Sequence, residues 1–257
     1  MADADHSVAF WSEVAQSFSP DPNVIFDLFG EPFMGRGAPT SSDWSCWLNG
    51  CMTTFTPCST GHSHDCTNVV YQTAGMQELV NTVRNAGAHQ PIMLGGLNWS
   101  GDPCGIKDWG GASGTCMWLK YEPNDPDHQL IASFHAYNWT ACASVTCWNQ
   151  DVAPLAKSVP VVAGEFGEDD CSTHFVQSFM NWADTHNISY LAWDWEVPDS
   201  SEPSTCVSSA NGPIGTNLML LSNWNGTPST SSPEGASIEN HMQAQGISGI
   251  VNGARKK

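Results

Sequence analysis

Apolar positions recur along the chain with two periods, one typical of helices and one typical of strands. Phe10, Trp11, Val14 and Phe18 are three or four positions apart and share one face of a helix. This pattern predicts helices at residues 6–19, 74–88 and 174–186, and a short helix at residues 149–157. Short apolar runs, mostly bounded by Gly, Pro or polar residues, predict strands at residues 24–29, 91–96, 130–137, 160–164 and 189–195.

The order of these elements favours an α/β fold, because strands that alternate with helices are typical of parallel βαβ units. Residues 33–68 are rich in Gly, Ser, Thr and Cys, and we expect them to form a long loop. The sequence shows no internal repeat and no linker that would divide it. We therefore predict a single domain over residues 1–257, with a core at about residues 9–229.

Polar or aromatic residues stand at the carboxyl end of each predicted strand. In β/α barrels the active site is built from these strand ends. Five such groups in succession are difficult to explain by structural roles alone. In chain order they are Glu31, then Asn98 and Trp99, then His135 and Tyr137, then Glu165, then Trp193 and Trp195.

Glu31 and Glu165 end two different apolar strands. Glycoside hydrolysis needs such a pair of carboxyl groups, one to protonate the leaving oxygen and one to attack the anomeric carbon or to activate water. The alternative is that each Glu is a loop cap or an ion-pair partner. With only 8 Lys and Arg in the chain, cationic partners are scarce.

Four segments carry a family resemblance. VIFDLFGEP (24–32), SFHAY (133–137), VVAGEFG (161–167) and YLAWDW (190–195) resemble the fourth, sixth, seventh and eighth strands of glycoside hydrolase family 5, the cellulase family. LSNWNGTPS (221–229) resembles that family's closing segment. The resemblance implies a (β/α)8 TIM barrel that is incomplete, with strands four to eight recognisable. We accordingly expect the amino-terminal end of this catalytic domain to be truncated.

The same resemblance implies the site residues. Glu31 would be the general acid/base and Glu165 the nucleophile, with their carboxyl groups about 5 Å apart as in retaining enzymes. His135 and Tyr137 match a His-x-Tyr element that supports the nucleophile and the sugar bound there. Trp193 matches the aromatic platform beneath the cleaved sugar, although core filling is the alternative for Trp193 and Trp195. Further expected subsite residues are Trp99 and Asn98.

The chain departs from the family pattern before Glu31, where Gly30 replaces the family's Asn. That Asn hydrogen-bonds the 2-hydroxyl of the cleaved sugar. The resemblance implies a retaining endo-β-1,4-glucanase, a cellulase, which acts on β-linked polysaccharides or oligosaccharides. Two alternatives stay open, namely an endo-β-mannanase and a catalytically impaired carbohydrate-binding remnant.

Charge narrows the range of partners. The chain has 26 Asp and Glu, so its formal net charge is −18. Such a surface repels phosphate backbones and anionic lipid, and we expect no nucleic-acid or membrane partner. We expect a monomer unless the open edge of the incomplete barrel drives association.

Ten Cys, mostly in close pairs, predict disulfides and a secreted, extracellular protein, although the first residues do not resemble a signal peptide. Because no pair has CxxC spacing, we do not expect the Cys residues to bind zinc. We expect no metal and no other cofactor. His62, His64 and Asp65 are interpreted as a solvated turn rather than a metal site. The expected pairs are Cys46–Cys51, Cys58–Cys66, Cys104–Cys116, Cys142–Cys147 and Cys171–Cys206. The last pair would join the loops after the seventh and eighth strands, which are neighbours in the barrel that the resemblance implies.

Overall fold

The computed structural model describes residues 1–34, 39–55, 68–105, 116–198, 218–229 and 232–246. The helices are α1 (Ser7–Phe18), α2 (Ser41–Asn49), α3 (Met76–Asn85), α4 (Met117–Lys120), α5 (Val145–Leu155), α6 (His174–Thr185) and α7 (Pro233–Ala244). The strands are β1 (Phe26–Asp27), β2 (Met52–Phe55), β3 (Val69–Gln72), β4 (Ile92–Gly95), β5 (Leu130–Tyr137), β6 (Val161–Gly167), β7 (Ser189–Ala192), β8 (Leu221–Asn223) and β9 (Thr227–Pro228).

The chain forms two compact units. The first comprises residues 1–134 and 150–161, and the second comprises residues 135–149 and 162–257. The division passes through strand β5 between Phe134 and His135, and through helix α5 before Gln150.

The first unit contains the parallel strands β1, β4 and the beginning of β5. All residues of β4 and β5 are buried, which explains why their sequences are continuous apolar runs rather than alternating ones. Two buried indoles support β4 from the side, because Trp47 Nε1 donates to the carbonyl of Gly95 and Trp118 Nε1 to that of Leu94. Helix α1 packs against α3.

The expectation of a long loop at residues 33–68 is wrong in its described part. Helix α2 begins at a capping box, in which Thr40 and Asp43 satisfy each other's backbone amides, and it buries Trp44 and Trp47. Strands β2 and β3 form an antiparallel hairpin. Most of its residues are exposed on both faces, so the sequence has no period of two to reveal the strands.

The second unit contains the end of β5, the parallel strands β6 and β7, and the antiparallel pair β8 and β9. The predicted strand at residues 189–195 is shorter in the structure and ends at Ala192. Helix α7 was not predicted, because its sequence is mostly polar and Ile238 is its only large buried apolar side chain. Buried residues therefore continue past the predicted core limits, from Ala2 to Ile238.

Three of the predicted disulfides are confirmed, namely Cys46–Cys51, Cys104–Cys116 and Cys142–Cys147. The predicted pairs Cys58–Cys66 and Cys171–Cys206 involve positions outside the described residues, as do His62, His64 and Asp65. Within the described ranges, the helices are too short or too polar to cross a lipid bilayer.

Candidate active site

Glu165 lies at an irregularity of strand β6. Ala163 pairs with Tyr190, whereas Phe166 pairs with Ala192, so three steps along β6 match two steps along β7. The extra residue is a β-bulge, a feature that redirects side chains and is common next to active sites. The sequence therefore presents Glu165 near the carboxyl end of a parallel strand, and the bulge sets the direction of its carboxylate.

Two side chains from the end of β5 contact the same oxygen of Glu165. Tyr137 Oη donates to Glu165 Oε2 at 2.6 Å, and His135 Nδ1 lies 3.2 Å from that atom. His135 and Tyr137 are two positions apart on the strand and so face the same way. The side chain of His135 is 3% exposed and that of Glu165 is 20% exposed. The carboxylate is thus held at an accessible position by buried partners.

Trp193 and Trp195 are not core residues. Trp193 is the first residue after strand β7, and its backbone amide donates to the carbonyl of Phe166 at 2.9 Å. Trp193 is 44% exposed and Trp195 is 54% exposed. The structure therefore excludes core filling for both indoles.

Asp194, between these two indoles, was not recognised from the sequence. Burial is the largest cause that raises its pKa, to about 7, and the hydrogen bond and charge of Glu196 and the charge of Glu165 act in the same direction. Its Oδ1 is buried and accepts no hydrogen bond among the described residues. The only signal in the sequence was a carboxylate within an aromatic segment.

A second buried carboxyl group lies at the start of helix α7. Glu234 is 1% exposed, and its Oε2 accepts a hydrogen bond from the Glu168 amide at 2.9 Å. Burial, together with the charges of Glu168, Asp194 and Asp169, raises the pKa of Glu234 to about 9 against the opposing effect of that hydrogen bond. Glu234 therefore carries a proton in the folded protein at neutral pH.

This proton makes the stability of the second unit depend on pH. The unfolded chain releases the Glu234 proton near the ordinary pKa of 4.5, whereas the folded protein keeps it up to about 9. The free energy of unfolding should therefore fall as pH rises through this window. Gln at position 234 keeps an oxygen for the Glu168 amide but does not titrate. We expect Glu234→Gln to raise Tm by roughly 5 °C at about pH 8 and to change it little near pH 4.

The measurement is thermal unfolding followed by circular dichroism across this pH range. Glu239→Gln, on the same helix but partly exposed, is the matched control and should leave the pH dependence of Tm unchanged. Parallel Tm curves for the wild type and Glu234→Gln would contradict the assignment of a buried proton to this carboxyl group.

Glu31 lies in the first unit, four residues beyond the end of strand β1, and it is exposed. Its backbone has a φ of 52°, a left-handed conformation that is uncommon for a residue other than Gly and that is often found at functional sites. The carbonyl of the next residue, Pro32, accepts a hydrogen bond from the amide of Trp99 at 3.3 Å. The segments that follow β1 and β4 are thereby joined.

The segment after β4 is a left-handed turn that presents an indole. Asn98, Trp99 and Ser100 have φ values of 61°, 54° and 59°. The Trp99 ring stacks on Phe33, with centroids 3.9 Å apart and planes at 17°, and Trp99 is 49% exposed. The structure thus places two of the predicted subsite residues, Asn98 and Trp99, in the same unit as Glu31.

Gly95, at the end of β4, permits this arrangement. A Cβ at that position would lie 2.4 Å from Ser100 Oγ and 3.2 Å from Pro32 Cδ. A larger residue would have to displace the Ser100 hydroxyl and would crowd Pro32. Gly30 differs in this respect, because a Cβ there would have no atom within 4 Å. The position before Glu31 is therefore open space.

Comparison with known proteins gives consistent matches. The sequence profile of the cellulase family (glycosyl hydrolase family 5) matches residues 2–199. A mannan endo-1,4-β-mannosidase of Cellvibrio japonicus (strain Ueda107) is 24% identical over 236 residues, which are 90% of this chain and 46% of that protein. The chain thus spans about half the length of this relative.

Two solved structures show the fold. The catalytic domain of the Thermobifida fusca endoglucanase Cel5A has a TM-score of 0.57 at 18% identity, over 93% of this chain and 63% of that one. A β-glucanase of Saccharophagus degradans has a TM-score of 0.59 at 16% identity, over 94% of this chain and 60% of that one. The predicted fold class, an incomplete (β/α)8 TIM barrel, is confirmed.

Proposed function

Because the chain belongs to glycosyl hydrolase family 5, the cellulase family, we propose that it hydrolyses β-1,4-glycosidic bonds with retention of configuration. Glu165 is the proposed nucleophile and Glu31 the proposed general acid/base. The observation that supports this proposal most strongly is the geometry at Glu165, where Tyr137 Oη and His135 Nδ1 both lie within hydrogen-bond distance of Oε2.

These contacts suit a nucleophile. A hydrogen bond donated to an ionised carboxylate stabilises the charged form, which is the form that attacks. The bond from Tyr137 Oη is 2.6 Å long, in the range of O–H donors to a charged acceptor. His135 Nδ1 adds a second donor when it carries the ring proton. Both partners are buried, so they hold the carboxylate in one orientation and leave little reorganisation for the reaction.

The proposed reaction has two steps. In the first, a Glu165 oxygen attacks the anomeric carbon, the bond to the leaving oxygen breaks, and Glu31 transfers its proton to that oxygen. In the second, Glu31 takes a proton from water, the water oxygen bonds to the anomeric carbon, and the bond to Glu165 breaks. Two carboxyl groups supply all of this chemistry, and the reaction requires neither metal nor cofactor.

The exposed aromatic residues fit a sugar ligand. Sugar rings have apolar faces that an indole covers well. We propose that Trp193 is the platform beneath the cleaved sugar, because it directly follows the strand that pairs with the strand of Glu165. Trp99, backed by Phe33, and its neighbour Asn98 would bind a further sugar unit near Glu31.

Glucan is the proposed substrate. The β-glucanase of Saccharophagus degradans has also been solved in complex with cellotetraose, which is a β-1,4-glucan oligosaccharide. Mannan is the alternative, since the Cellvibrio japonicus relative is a mannosidase by name. The two sugars differ at the 2-hydroxyl, the group that the family's Asn contacts and that Gly30 cannot.

A Gly30→Asn substitution should therefore raise kcat/KM on soluble β-1,4-glucan by about 10²-fold, because a hydrogen bond to the 2-hydroxyl strengthens in the transition state. The open space at Gly30 accommodates a side chain. The measurement is initial-rate kinetics on glucan and mannan. Gly30→Ala adds the Cβ without the amide and should leave the rate near that of the wild type. An equal gain from Ala and Asn would contradict the role of the amide.

The experiment that tests the function is a reducing-sugar assay of the purified chain on soluble β-1,4-glucan and β-mannan. Proton NMR of the first product then reports its anomeric configuration. Release of the β-anomer from the β-linked substrate is expected for a retaining enzyme, whereas release of the α-anomer would show inversion and would exclude Glu165 as a nucleophile.

A second candidate function follows from Gly30. The hydrogen bond from the Asn amide stabilises the transition state more than the ground state, so its absence slows the reaction more than it weakens binding. The chain would then bind cello-oligosaccharides through its exposed indoles and turn them over poorly. Oligosaccharide binding by the folded wild type without measurable product would favour this carbohydrate-binding remnant over the glucanase.

The remaining proposals concern location and assembly. The three confirmed disulfides, which lie within the part of the chain that the structure describes, favour an oxidising compartment, and we propose that the protein is secreted. We further propose a monomer whose partners are β-linked polysaccharides. The net charge of −18 opposes association with nucleic acid and with anionic membranes.

A further inference from the structure

The segment after strand β5 presents an indole that the sequence analysis did not assign. Trp139 lies two residues beyond Tyr137 and is 46% exposed. Its ring stacks on that of Tyr137, with centroids 4.4 Å apart and planes at 20°. One face of the indole therefore covers the tyrosine that donates to Glu165, and nearly half of the residue is left open to solvent.

This segment is held in place by several independent contacts. The amide and the hydroxyl of Thr140 both donate to the carbonyl of Tyr137, at 3.1 and 2.9 Å, which closes a turn around Trp139. The Cys142–Cys147 disulfide joins the segment to helix α5. Trp148 Nε1 donates to the carbonyl of Cys142 at 2.7 Å. The exposed indole is thus ordered before any ligand arrives.

The neighbouring segment after β6 is tied to the same turn, because Asn138 Oδ1 accepts a hydrogen bond from the amide of Asp169. A rigid aromatic surface binds with little loss of conformational entropy. The exposed part of the Trp139 indole also offers apolar area that a ligand can cover. The ligand must have a flat apolar face and tolerate a strongly acidic protein, and a neutral sugar ring meets both requirements.

We propose that Trp139 is a sugar-binding platform for a subsite beyond the bond that is cleaved, and that it binds one further pyranose unit of a β-1,4-linked chain. This inference rests on the proposed glycosidase function, because it takes the Tyr137–Glu165 contact as part of the active site. It adds a specificity residue, because the platform contributes only when the saccharide is long enough to reach it.

Binding to non-hydrolysing protein tests the inference. On a Glu165→Gln background, isothermal titration with cellohexaose and with cellotriose gives dissociation constants for intact ligands. We expect Trp139→Ala to weaken cellohexaose binding about tenfold and to leave cellotriose binding unchanged. Trp139→Phe should restore most of the loss. Trp224→Ala, which removes an indole that is 71% exposed after strand β8, is the matched control and should change neither constant.

Two results would overturn the inference. Unchanged cellohexaose affinity in Trp139→Ala would show that no sugar contacts this ring. Equal weakening for both ligands would make Trp139 a positioning residue that acts through Tyr137. The subsite and the proposed activity can fail separately. If the wild type shows no turnover but loses cellohexaose binding on Trp139→Ala substitution, the subsite is supported and the proposed activity is not. If the wild type turns over polysaccharide and Trp139→Ala changes neither this turnover nor cellohexaose binding, the activity is supported and the subsite is not.

Discussion

We expect Glu165→Gln to lower kcat on soluble β-1,4-glucan by about 10⁴-fold or more. The amide cannot form the covalent glycosyl intermediate, and no other group takes over that step. Gln keeps an oxygen that accepts the hydrogen bond from Tyr137, so the side chain stays in place and the fold is preserved. A loss of activity with an unchanged Tm would therefore reflect chemistry rather than stability.

The control is Glu13→Gln, which removes an exposed carboxylate from helix α1 and should leave the rate unchanged. A stricter test uses Glu165→Gly with azide and a dinitrophenyl β-cellobioside. Azide would occupy the place of the missing carboxylate and attack the anomeric carbon from the same side, so the expected product is an α-glycosyl azide. A β-glycosyl azide, or a Glu165→Gln enzyme with full activity, would be incompatible with Glu165 as the nucleophile.

The second large effect is expected at Glu31. Glu31→Gln should lower kcat/KM on polysaccharide by about 10³-fold, because the sugar leaving group departs poorly without a proton. The same variant should form the glycosyl intermediate at nearly the wild-type rate from a dinitrophenyl β-cellobioside, because that leaving group needs no protonation. The contrast between the two substrates separates acid catalysis from a general loss of structure.

Burst kinetics on the dinitrophenyl substrate give the intermediate directly, since the second step also needs Glu31 as a base. Azide added to the Glu31 variant should intercept the intermediate and give a β-glycosyl azide, opposite to the product expected from the Glu165 variant. Equal losses on activated and natural substrates would assign Glu31 a structural role instead.

Local patterns predicted strands β4 and β5 well because both are buried at every position. The run LIASFHAY is buried at every position, so its apolar character is visible without any knowledge of its neighbours. Helix α6 was predicted within two residues for a related reason, since Phe179 and Trp182 repeat at helical spacing on its buried side. The close Cys pairs were likewise predictable from their small sequence separation.

The same reasoning failed where burial falls on few residues. Helix α2 covers only nine residues and is flanked by segments rich in Ser, Gly and Thr, so its apolar pattern is weak. The capping box was the sequence signal that could have located its first residue, and it was not recognised. The hairpin of β2 and β3 is exposed on both faces and lacks alternation. Helix α7 offers one large apolar contact, Ile238, and a buried Glu234 that resembles a surface residue in the sequence.

The sequence by itself determined which chemical groups stand at the strand ends, which family the chain resembles, and that Gly30 replaces an Asn. It could do so because residue identity and the order of neighbouring residues are properties of the chain alone. Only the tertiary structure decided that His135 and Tyr137 contact one oxygen of Glu165, that Trp193 and Trp195 are exposed, and that Trp139 stacks on Tyr137. It also decided the raised pKa values of Asp194 and Glu234. Burial, charge and ring contacts depend on residues far away in sequence, and local periodicity carries no information about them.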